Sequence, residues 1–555
     1  MTTFHSADVS PSQHALRAIE AAAGGKVRAC YQPNFVKATA PAPERIVALV
    51  SGGGAGHEPM HANFVGRGGL DAAVPGEVFT SPHSRQIHAA SQAVARDSGV
   101  LHIVKNYTGD VINFGIAAER LKSEGIFVRE LIVDDDLGTD SGDEDGPGRR
   151  GTAATVIVEK ILGAAADRGL GLQQLKDYGQ AIVDRTRSLA VARAAHTPPG
   201  GTEPGFEVEA GKLEYGVGIH GETARERIDQ PTLQELVDRM VGELLDALPE
   251  PEVGVIVLVN GLGGLAPLEL AHVSIEAERA LRDRDVPIRS IVSGNFITAL
   301  DMAGFSLTLT AIEDQWMYDW LAPHDTVGLP TPRPWLTPPE RDPEAPEQEA
   351  KEASTWLRSF VDELQGMEKA LNKIDQKAGD GDVGTNMAGA AKAALAHASS
   401  ADASLAQDLR SIAEGFLSDT GGSSGPLFGL VMQEIAAAAE AGENLLDGVR
   451  AGMEAVTRVG GAKPGDRTIV DALDAAVGGA EQLDQTAVGA AIDGTEATAE
   501  MVGLKGRSSY LGDRVLGVPD PGAIAMAMVL LLVAEGASGA RLDPERGRLL
   551  QLLSR

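Results

Sequence analysis

A run of prolines divides the chain into two parts with different residue patterns. Eight prolines fall between residues 323 and 346 and are followed by further acidic residues: Pro323, Pro330, Pro332, Pro334, Pro338, Pro339, Pro343 and Pro346. Proline removes a backbone donor, so this segment favours a semi-rigid linker over a packed element. We therefore expect one domain at residues 1–322, a linker at 323–350 and a second domain at 351–555.

The two parts predict different fold classes. Before the prolines, short β-rich runs alternate with helical segments, which is typical of α/β layering. The strands are predicted at residues 45–50, 100–105, 127–133, 212–219, 254–259 and 288–292. Glycine-rich or polar clusters follow several of them, and ligands of α/β sheets bind beyond the strand ends. After the prolines, alanine-rich helical segments dominate and predict an all-α domain.

Composition restricts the partners and the compartment. The net charge of −31 repels nucleic acid and anionic membranes, so neither is expected as a partner. A single cysteine, Cys30, excludes an intrachain disulfide and indicates a reducing cytoplasm. The N-terminal residues lack the basic-then-apolar pattern of a secretion signal. The most apolar run, residues 523–534, is too short to span a bilayer and predicts a buried helix.

The segment IDQKAGDGDVGTNM, residues 374–387, holds three carboxylates within eight positions. Asp375 follows an apolar-periodic run and is expected to close a helix, and the glycines then allow a turn that returns Asp380 and Asp382 towards it. Such close carboxylates repel one another unless a cation lies among them, and Mg²⁺ prefers hard oxygen ligands. A helix predicted to begin beside the cluster favours bound phosphate. A solvated Gly/Asp turn is the alternative interpretation.

A second glycine-rich run, SGGGAGHEP at residues 51–59, follows a predicted strand. It lacks the Gly-Lys-Ser/Thr of a phosphate loop, and His57 stands where the dinucleotide pattern requires a third glycine. His57 and His61 satisfy the zinc-protease pattern HExxH. Pro59, however, is tolerated only in the first turn of a helix, so the two histidines cannot share the helix face that zinc needs. What remains is a glycine loop that lets backbone N–H groups and His57 approach a small polar ligand.

The acidic cluster and the motifs that follow it resemble the nucleotide-binding domain of the dihydroxyacetone kinases. These motifs are GGSSGP at 421–426, PGDRT at 464–468, GRSSY at 506–510 and DPGA at 520–523. The N-terminal half resembles the substrate-binding domain of the same kinases, through SGGGAGHEP, FVGRG, GEVFTSP, KNYTGDVINFG, GRRG at 148–151 and GVGIHGE. The resemblance implies an α/β region of two lobes followed by an all-α helical barrel that binds the nucleotide.

The resemblance also assigns roles in the N-terminal half. In this family a histidine attacks the ketone carbon of the substrate to form a hemiaminal, and His220 in GIHGE holds the matching position. Neutral imidazole is a good nucleophile near neutral pH, although a histidine at a strand end is more often structural. The resemblance implies Asp110 as general base, assisted by His57. It places Gly54, Ala55, Gly56, His57, Lys105 and Asp110 around the substrate. Ala55, Pro75, Met60 and Asn63 depart from the usual pattern and leave the ketose open.

For the C-terminal half the resemblance implies ATP and Mg²⁺, with two ions expected. The metal ligands are Asp375, Asp380 and Asp382, and the ions would bridge the phosphates and neutralise transition-state charge. The nucleotide is expected beside Val383, Gly384, Thr385, Asn386, Ser423, Ser424, Gly460, Thr468, Ile469, Asp520, Pro521 and Gly522.

We therefore expect a cytoplasmic, ATP-dependent kinase that phosphorylates a short-chain ketose held on His220. Dihydroxyacetone is the family's default substrate, and a four-carbon ketose such as erythrulose is the rival. Two other classes stay open: a ketose sensor without activity, against which the intact aspartate cluster weighs, and a lyase that cyclises FAD. The resemblance suggests a homodimer formed through the N-terminal domains.

Overall fold

The computed structural model describes residues 10–140, 148–198, 204–222, 224–336, 352–421, 424–505 and 507–554. The chain forms two compact units, Met1–Thr337 and Pro338–Arg555. The first contains two mixed β-sheets with helices, and the described part of the second is helical. The predicted fold class, α/β followed by all-α, is confirmed.

The first sheet of the first unit has mostly parallel strands. Their order is β1-β2-β4-β3-β5-β6, in which β4, β3, β5 and β6 run parallel and β1 and β2 are antiparallel additions. Every residue of the fifth strand is buried, as expected for a parallel strand covered on both faces. The strands are β1 (Val27–Cys30), β2 (Phe35–Ala38), β3 (Ala48–Ala55), β4 (Ala72–Val78), β5 (Val100–Lys105) and β6 (Val128–Val133).

The first five residues of the glycine-rich run, 51–55, are part of β3, where the sequence predicted a loop. The strand continues to Ala55 because its glycines permit close approach of neighbouring atoms. A Cβ on Gly52 would lie 2.5 Å from the carbonyl oxygen of Val74 in β4, and one on Gly53 would lie 2.2 Å from Nζ of Lys105. These glycines therefore admit a parallel neighbour and a lysine side chain.

The second sheet is mainly antiparallel. Its order is β11-β10-β12-β7-β8-β9, and only the β10–β11 pair is parallel. The strand predicted at 212–219 ends at Tyr215, so His220 lies beyond it. The strands are β7 (Thr186–Ala194), β8 (Lys212–Tyr215), β9 (Glu226–Asp229), β10 (Val255–Gly261), β11 (Ile288–Gly294) and β12 (Ala303–Ala311).

Helices of the first unit cover the sheets and fill the space between them. They are α1 (Pro11–Ala22), α2 (Ser84–Val94), α3 (Thr108–Ser123), α4 (Ala154–Asp167), α5 (Leu172–Asp184), α6 (Leu233–Asp246), α7 (Pro267–Arg282) and α8 (Asp314–Trp320). The largest core of this unit joins residues of both sheets with α4, α5 and α8. Helix α4 is buried along almost its whole length, including Glu159 and Lys160. Ionisable side chains therefore stand in the middle of this core.

The described part of the proline-rich segment packs against the first unit. Asp325 N donates to the carbonyl of Arg67 at 2.8 Å, and Ser290 Oγ donates to the carbonyl of Arg333 at 2.8 Å. Trp335 N donates to the carbonyl of Arg289. Residues 323–336 thus continue the first unit, and the rest of the predicted linker, up to 350, lies outside the described residues.

The second unit is built around one apolar helix. Its helices are α9 (Thr355–Gly366), α10 (Glu368–Ala378), α11 (Val383–Ala394), α12 (Leu405–Ser418), α13 (Ser424–Ala441), α14 (Leu445–Gly460), α15 (Ile469–Gly479), α16 (Gln485–Ala497), α17 (Pro521–Ser538) and α18 (Asp543–Leu553). Helix α17 is long and apolar enough to cross a membrane, but 72% of its length is buried inside this unit. It packs against α10, α15, α16 and α18, which confirms the predicted buried helix.

Candidate active site

Two histidines from different sheets meet in the first unit. His57 follows β3, His220 follows β8, and their Nε2 atoms lie 2.9 Å apart. Nδ1 of His57 lies 2.7 Å from the carbonyl oxygen of Thr298, so Nδ1 must carry a hydrogen and Nε2 must be an acceptor. Burial lowers the pKa of His57 well below its usual value, and the charges of His220 and Lys105 lower it further. His57 is therefore neutral, and the hydrogen shared by the pair belongs to His220.

Glu222 holds His220 from the other side. Its Oε2 accepts from the backbone N–H of His220 at 2.9 Å, and its Oε1 lies 3.3 Å from Nδ1 of the ring. Burial acts to raise the pKa of Glu222, but the hydrogen bond and charge of His220 lower it overall. The His220 side chain is 22% exposed, so a small molecule can reach it. Sequence reasoning included Glu222 in a motif but gave it no role.

Aromatic rings enclose the histidine pair. Phe79 stacks on His57 with ring centroids 5.1 Å apart, and Tyr107 meets His220 edge-on at 4.5 Å. His196 meets Phe79 edge-on at 4.9 Å. None of these three was predicted as a site residue. Phe79 and Tyr107 lie inside recognised motifs that could have indicated them, but nothing in the sequence around His196 did.

Lys105 and Asp110 form a second buried pair near the histidines. Lys105 ends β5, Asp110 lies in the first turn of α3, and Nζ is 3.9 Å from Oδ2. Oδ1 of Asp110 is buried and has no hydrogen-bond partner among the described residues. A buried carboxylate oxygen without a partner is suited to accept from a ligand hydroxyl. The charge of Lys105 lowers the pKa of His57, so the pair and the histidines share one electrostatic environment.

The predicted substrate-binding glycines pack beneath these side chains. A Cβ on Gly54 would lie 2.8 Å from the backbone N of Thr80. Gly56 has φ of +99°, and a Cβ there would lie 2.9 Å from the ring of Phe79. Ala55 between them is buried. The residues predicted around the ketose therefore lie together, at the ends of β3 and β5 and the start of α3.

In the second unit the three predicted metal ligands converge. Ligand oxygens of Asp375, Asp380 and Asp382 all lie within 4.8 Å of one another. Helix α10 continues three residues beyond Asp375, which the sequence had placed at its end. Oδ2 of Asp375 accepts from the backbone N–H groups of Gly381, Asp382 and Val383 at 2.9, 2.9 and 3.2 Å. Asp375 therefore folds the loop that brings the other two carboxylates to it. This all-oxygen donor set fits Mg²⁺.

The three carboxylates lie in a cavity of about 280 Å³ at which four helices begin. The first residues of α11, α13, α15 and α17 (Val383, Ser424, Ile469 and Pro521) all line it. Helix N-termini carry partial positive charge and unpaired N–H groups, which bind phosphate. Thr468 and Asp520 cap α15 and α17 by accepting from the N–H groups of Val470 and Ala523.

Most of the predicted nucleotide residues line this cavity: Val383, Asn386, Ser424, Gly460, Thr468, Ile469, Asp520, Pro521 and Gly522. Gly384 and Thr385 instead face α10. A Cβ on Gly384 would lie 2.1 Å from the carbonyl oxygen of Glu368, and Thr385 N donates to Oδ1 of Asn372 at 3.1 Å. Ser423 lies outside the described residues.

Two cationic side chains of the cavity were not predicted. Arg467, from the PGDRT motif, is fully buried, and its Nη2 donates to the carbonyl of Val518 at 2.9 Å. Its Nη1 lies 3.7 Å from Oδ2 of Asp520, whose pKa burial raises to about 6. Lys505 lies on the same cavity wall. Arg467 and Lys505 carry positive charge, opposite in sign to the carboxylates, and such cations are suited to bind a polyphosphate.

Comparison with known proteins matches both units to one family. Residues 17–328 match the Dak1 domain, and residues 377–535 match the DAK2 domain. The human protein named triokinase/FMN cyclase is 37% identical over 529 residues, which cover 88% of this chain and 91% of that protein. The L-erythrulose 1-kinase of Mycolicibacterium smegmatis is 35% identical over 542 residues, 91% of this chain and 94% of that protein. The crystal structure of the C. freundii dihydroxyacetone kinase in complex with AMP-PNP and Mg²⁺ covers 96% of this chain and 100% of that chain, with 33% identity and a TM-score of 0.62.

Proposed function

The chain belongs to the dihydroxyacetone kinase family, and from that premise we propose that it transfers the γ-phosphate of ATP to a terminal hydroxyl of a short-chain ketose. The observation that carries this proposal is the meeting of three carboxylates and four helix N-termini in one cavity. That combination is suited to Mg²⁺ bound to a polyphosphate. The relatives named as kinases of dihydroxyacetone and of erythrulose support the substrate class.

The histidine pair supports a covalent hold on the ketose. In the free protein Nε2 of His220 donates to His57, so attack requires the other tautomer: with hydrogen on Nδ1, which Glu222 favours by accepting from it, Nε2 of His220 has a free lone pair. Attack on the ketone carbon forms a C–N bond, and the π electrons move to the carbonyl oxygen, which takes a proton. The Nδ1 proton passes to Glu222 and an equivalent proton from water neutralises the oxygen, so the neutral hemiaminal forms without net proton gain. His57, an acceptor at Nε2, can then receive the hydrogen bond of the new hydroxyl.

Asp110 is proposed as the general base for the terminal hydroxyl. Its partnerless Oδ1 can accept the hydroxyl proton as the oxygen attacks phosphorus. Lys105, 3.9 Å from Oδ2, is placed to stabilise negative charge on the attacking oxygen. In the second unit, Asp375, Asp380 and Asp382 would hold Mg²⁺, expected as two ions, which supplies neutralisation of the phosphate charge. Arg467 and Lys505 are placed to balance the remaining negative charge.

A coupled assay tests the proposal. Purified protein with ATP and Mg²⁺ is given dihydroxyacetone, each enantiomer of erythrulose, and glycerol as a matched polyol. We expect ADP release with at least one ketose and none above background with glycerol, because glycerol lacks the ketone carbon that His220 attacks. Turnover of glycerol comparable to that of every ketose would overturn the covalent selection. Absence of turnover with all the ketoses would overturn the kinase assignment.

A second candidate, cyclisation of FAD to a cyclic flavin phosphate, is favoured by one observation. The described residues that line the nucleotide cavity all belong to the second unit, so reactions that need only metal and nucleotide would not require the ketose site. The human relative carries FMN cyclase in its name. Incubation with FAD, followed by product separation, tests this candidate. His220→Ala should leave a cyclase activity intact while lowering ketose phosphorylation.

Three expectations stay predictions: the division into domains at 1–322 and 351–555, dimerisation through the first domain, and a cytoplasmic location. Sedimentation of the intact chain tests the dimer. Expression of residues 1–336 and 352–555 as separate proteins tests whether covalent linkage matters. If the mixed halves match the turnover of the intact chain at low concentration, the linker has no role in bringing the sites together.

A further inference from the structure

A chain of buried polar contacts runs from the middle of the first unit to the proposed general base. Glu159 on α4 places Oε1 2.6 Å from Nδ1 of His61, and Nε2 of His61 lies 2.9 Å from Nζ of Lys105. Nζ in turn lies 3.9 Å from Oδ2 of Asp110. All four side chains are at most 5% exposed. None of the contacts made by Glu159 and His61 is used by the chemistry described above.

With Glu159 ionised, both groups that face Nδ1 of His61, Glu159 and Ser51, are acceptors. Oγ of Ser51 donates to the carbonyl oxygen of Ile103 at 2.7 Å, so towards Nδ1 of His61, 3.1 Å away, it can only accept. In this state Nδ1 of His61 carries the hydrogen, which it directs at Glu159 and Ser51. Nε2 is then an acceptor and faces Lys105. This tautomer aligns the Lys105 ammonium, whose other contacts are the carbonyl oxygen of Gly52 at 3.4 Å and Asp110.

A proton on Glu159 would reverse this arrangement. A carboxylic acid there would donate to Nδ1 of His61, so the ring hydrogen would move to Nε2 and point at Lys105. The ammonium, which has donors only, could no longer bond to His61 and would lose its alignment. Burial raises the pKa of Glu159 to about 8, and burial lowers the pKa of both His61 and Lys105. The two arrangements are therefore both accessible near neutral pH.

The ionisable groups around Glu159 are few. Helix α4 packs against β3, β5, β7, α5 and α8. From these elements and the turn after β3, Lys105 and His61 face Glu159, and Asp110 and His57 lie beyond Lys105. Lys160, next on α4, donates to carbonyls of α8 and the turn after it. Several other ionisable side chains on these elements have partners elsewhere, among them His102, Asp167, Tyr178, Arg187 and Asp319.

We propose that Glu159 and His61 are positioning residues for phosphoryl transfer: Glu159 fixes the tautomer of His61, and His61 directs the Lys105 ammonium towards Asp110. The proposal rests on the proposed function, because it assigns Lys105 and Asp110 to the ketose hydroxyl. It goes beyond that function by making the activity depend on a carboxylate buried in the core between the two sheets. The active arrangement is the one with ionised Glu159, so activity rises as pH rises through the pKa of this group.

Kinetics of two Glu159 variants test the role. In Glu159→Gln the amide oxygen accepts from Nδ1–H at every pH, so the geometry persists without ionisation. We expect its kcat/KM for ketose to stay close to wild type at pH 9 and to lose the rise that wild type shows near pH 8. Glu159→Leu removes the acceptor and should lower kcat/KM on the order of tenfold to a hundredfold, mostly in kcat. Unchanged kinetics in Glu159→Leu, or the same pH profile in wild type and Glu159→Gln, would overturn the proposal.

His61 and a matched histidine supply the controls. His61→Gln presents an amide oxygen near the position of Nε2 and should recover part of the activity that His61→Leu loses. His102, equally buried on β5, bonds to Ser91 Oγ at 2.9 Å and does not contact Lys105. His102→Gln should leave the kinetics and their pH profile unchanged. A loss in His102→Gln equal to that in His61→Gln would show that any buried histidine matters, and would overturn the assigned role.

A measurement without turnover separates this proposal from the proposed function. Protein labelled with ¹⁵N in its histidine rings reports by two-bond correlations which ring nitrogen carries hydrogen, and the His61 signals are those that His61→Gln removes. We expect hydrogen on Nδ1 of His61 at pH 9 in wild type and in Glu159→Gln. Hydrogen on Nε2 of His61 under these conditions would overturn the proposed positioning role of Glu159 and His61. If no ketose is phosphorylated but Nδ1 of His61 carries the hydrogen, the proposed function fails, while the arrangement of Glu159, His61 and Lys105 stands.

Discussion

The Nε2 atoms of His57 and His220 lie 2.9 Å apart although 163 positions separate the residues in sequence. One follows a strand of the first sheet and the other a strand of the second, so the pair exists only when both lobes have folded against each other. A third segment takes part, because the carbonyl of Thr298 orients His57. The proposed nucleophile and the histidine that faces it are thus products of the interface between two sheets, and neither lobe contains the pair by itself.

Replacing His220 should weaken ketose binding more than it weakens the chemical step. His220→Ala would remove the proposed covalent bond to the ketone carbon but leaves Asp110 and Lys105 in place, so we expect a markedly raised ketose KM with residual kcat. Carbon NMR of a ketose labelled at the carbonyl checks the cause. The signal should move from the ketone to the tetrahedral region on binding to wild type and stay unchanged with the variant. A trigonal carbon in the saturated wild-type complex would show that His220 only lines the wall.

Among the three carboxylates of the predicted metal site, Asp375 should have a structural role that Asp382 lacks. Asp375 accepts three backbone N–H groups, whereas the side chain of Asp382 faces the cavity. Asp375→Ala should therefore cost about 1–3 kcal/mol of stability as well as activity, because it leaves donors unsatisfied. Asp382→Ala should lower kcat on the order of a hundredfold or more with little loss of stability. Thermal unfolding with and without Mg²⁺, beside the ATP assay, measures both effects.

Equal destabilisation by the two alanine substitutions would contradict this division. Wild-type turnover of Asp382→Ala at ordinary Mg²⁺ would contradict the metal assignment itself.

Local patterns in the sequence predicted the fold class and the places where ligands gather. The strand at 100–105 and the apolar helix at 523–534 follow from continuous apolar runs, which are properties of single segments. The three aspartates could be grouped because the loop that joins them is short. The features that were missed depend on long-range packing. The GEVFTSP motif contains Phe79 but does not reveal that its ring meets those of His196 and His220.

Gly384 shows that long-range packing also matters for a residue that a motif did single out. A motif placed it beside the nucleotide, but the structure shows it packed against α10, where the carbonyl of Glu368 leaves no room for a Cβ. The spacing of a motif records that a residue type is needed at a position. It does not tell whether a ligand or a neighbouring helix imposes the need. Only the packing of α11 on α10 distinguishes these two reasons.

Gly384→Ala should accordingly destabilise the second unit. Its Cβ would lie 2.1 Å from the carbonyl oxygen of Glu368 and 2.7 Å from Oδ1 of Asn372, so α11 must move away from α10 at a cost of about 1–3 kcal/mol. Gly389 is exposed on the same helix, and a Cβ there would meet no described atom within 4 Å, so it is the matched control. Gly389→Ala should stabilise by about 0.5–1 kcal/mol because alanine favours helix. Urea unfolding of both variants gives the comparison, and opposite signs are expected.

Acid should destabilise the first unit through His102. This histidine is fully buried on β5, and burial lowers its pKa to about 3, against an ordinary value near 6.5. A histidine with a lowered pKa is neutral in the folded chain and gains a proton on unfolding. Its contribution to stability is therefore complete above pH 6.5 and is lost progressively as pH falls towards 3. Between pH 7 and pH 5 the loss amounts to about 2 kcal/mol.

His102→Gln isolates this contribution, because glutamine can keep the hydrogen bond to Ser91 but does not titrate. His57 and His61, whose pKa values burial also lowers, titrate equally in both proteins and cancel in the difference. At pH 7 wild type should be the more stable protein, since the imidazole fits its site. The advantage should shrink by about 2 kcal/mol at pH 5, as measured by urea unfolding at each pH. A difference in free energy of unfolding that stays constant between pH 7 and pH 5 would show that His102 is protonated in the folded chain as readily as in the unfolded one.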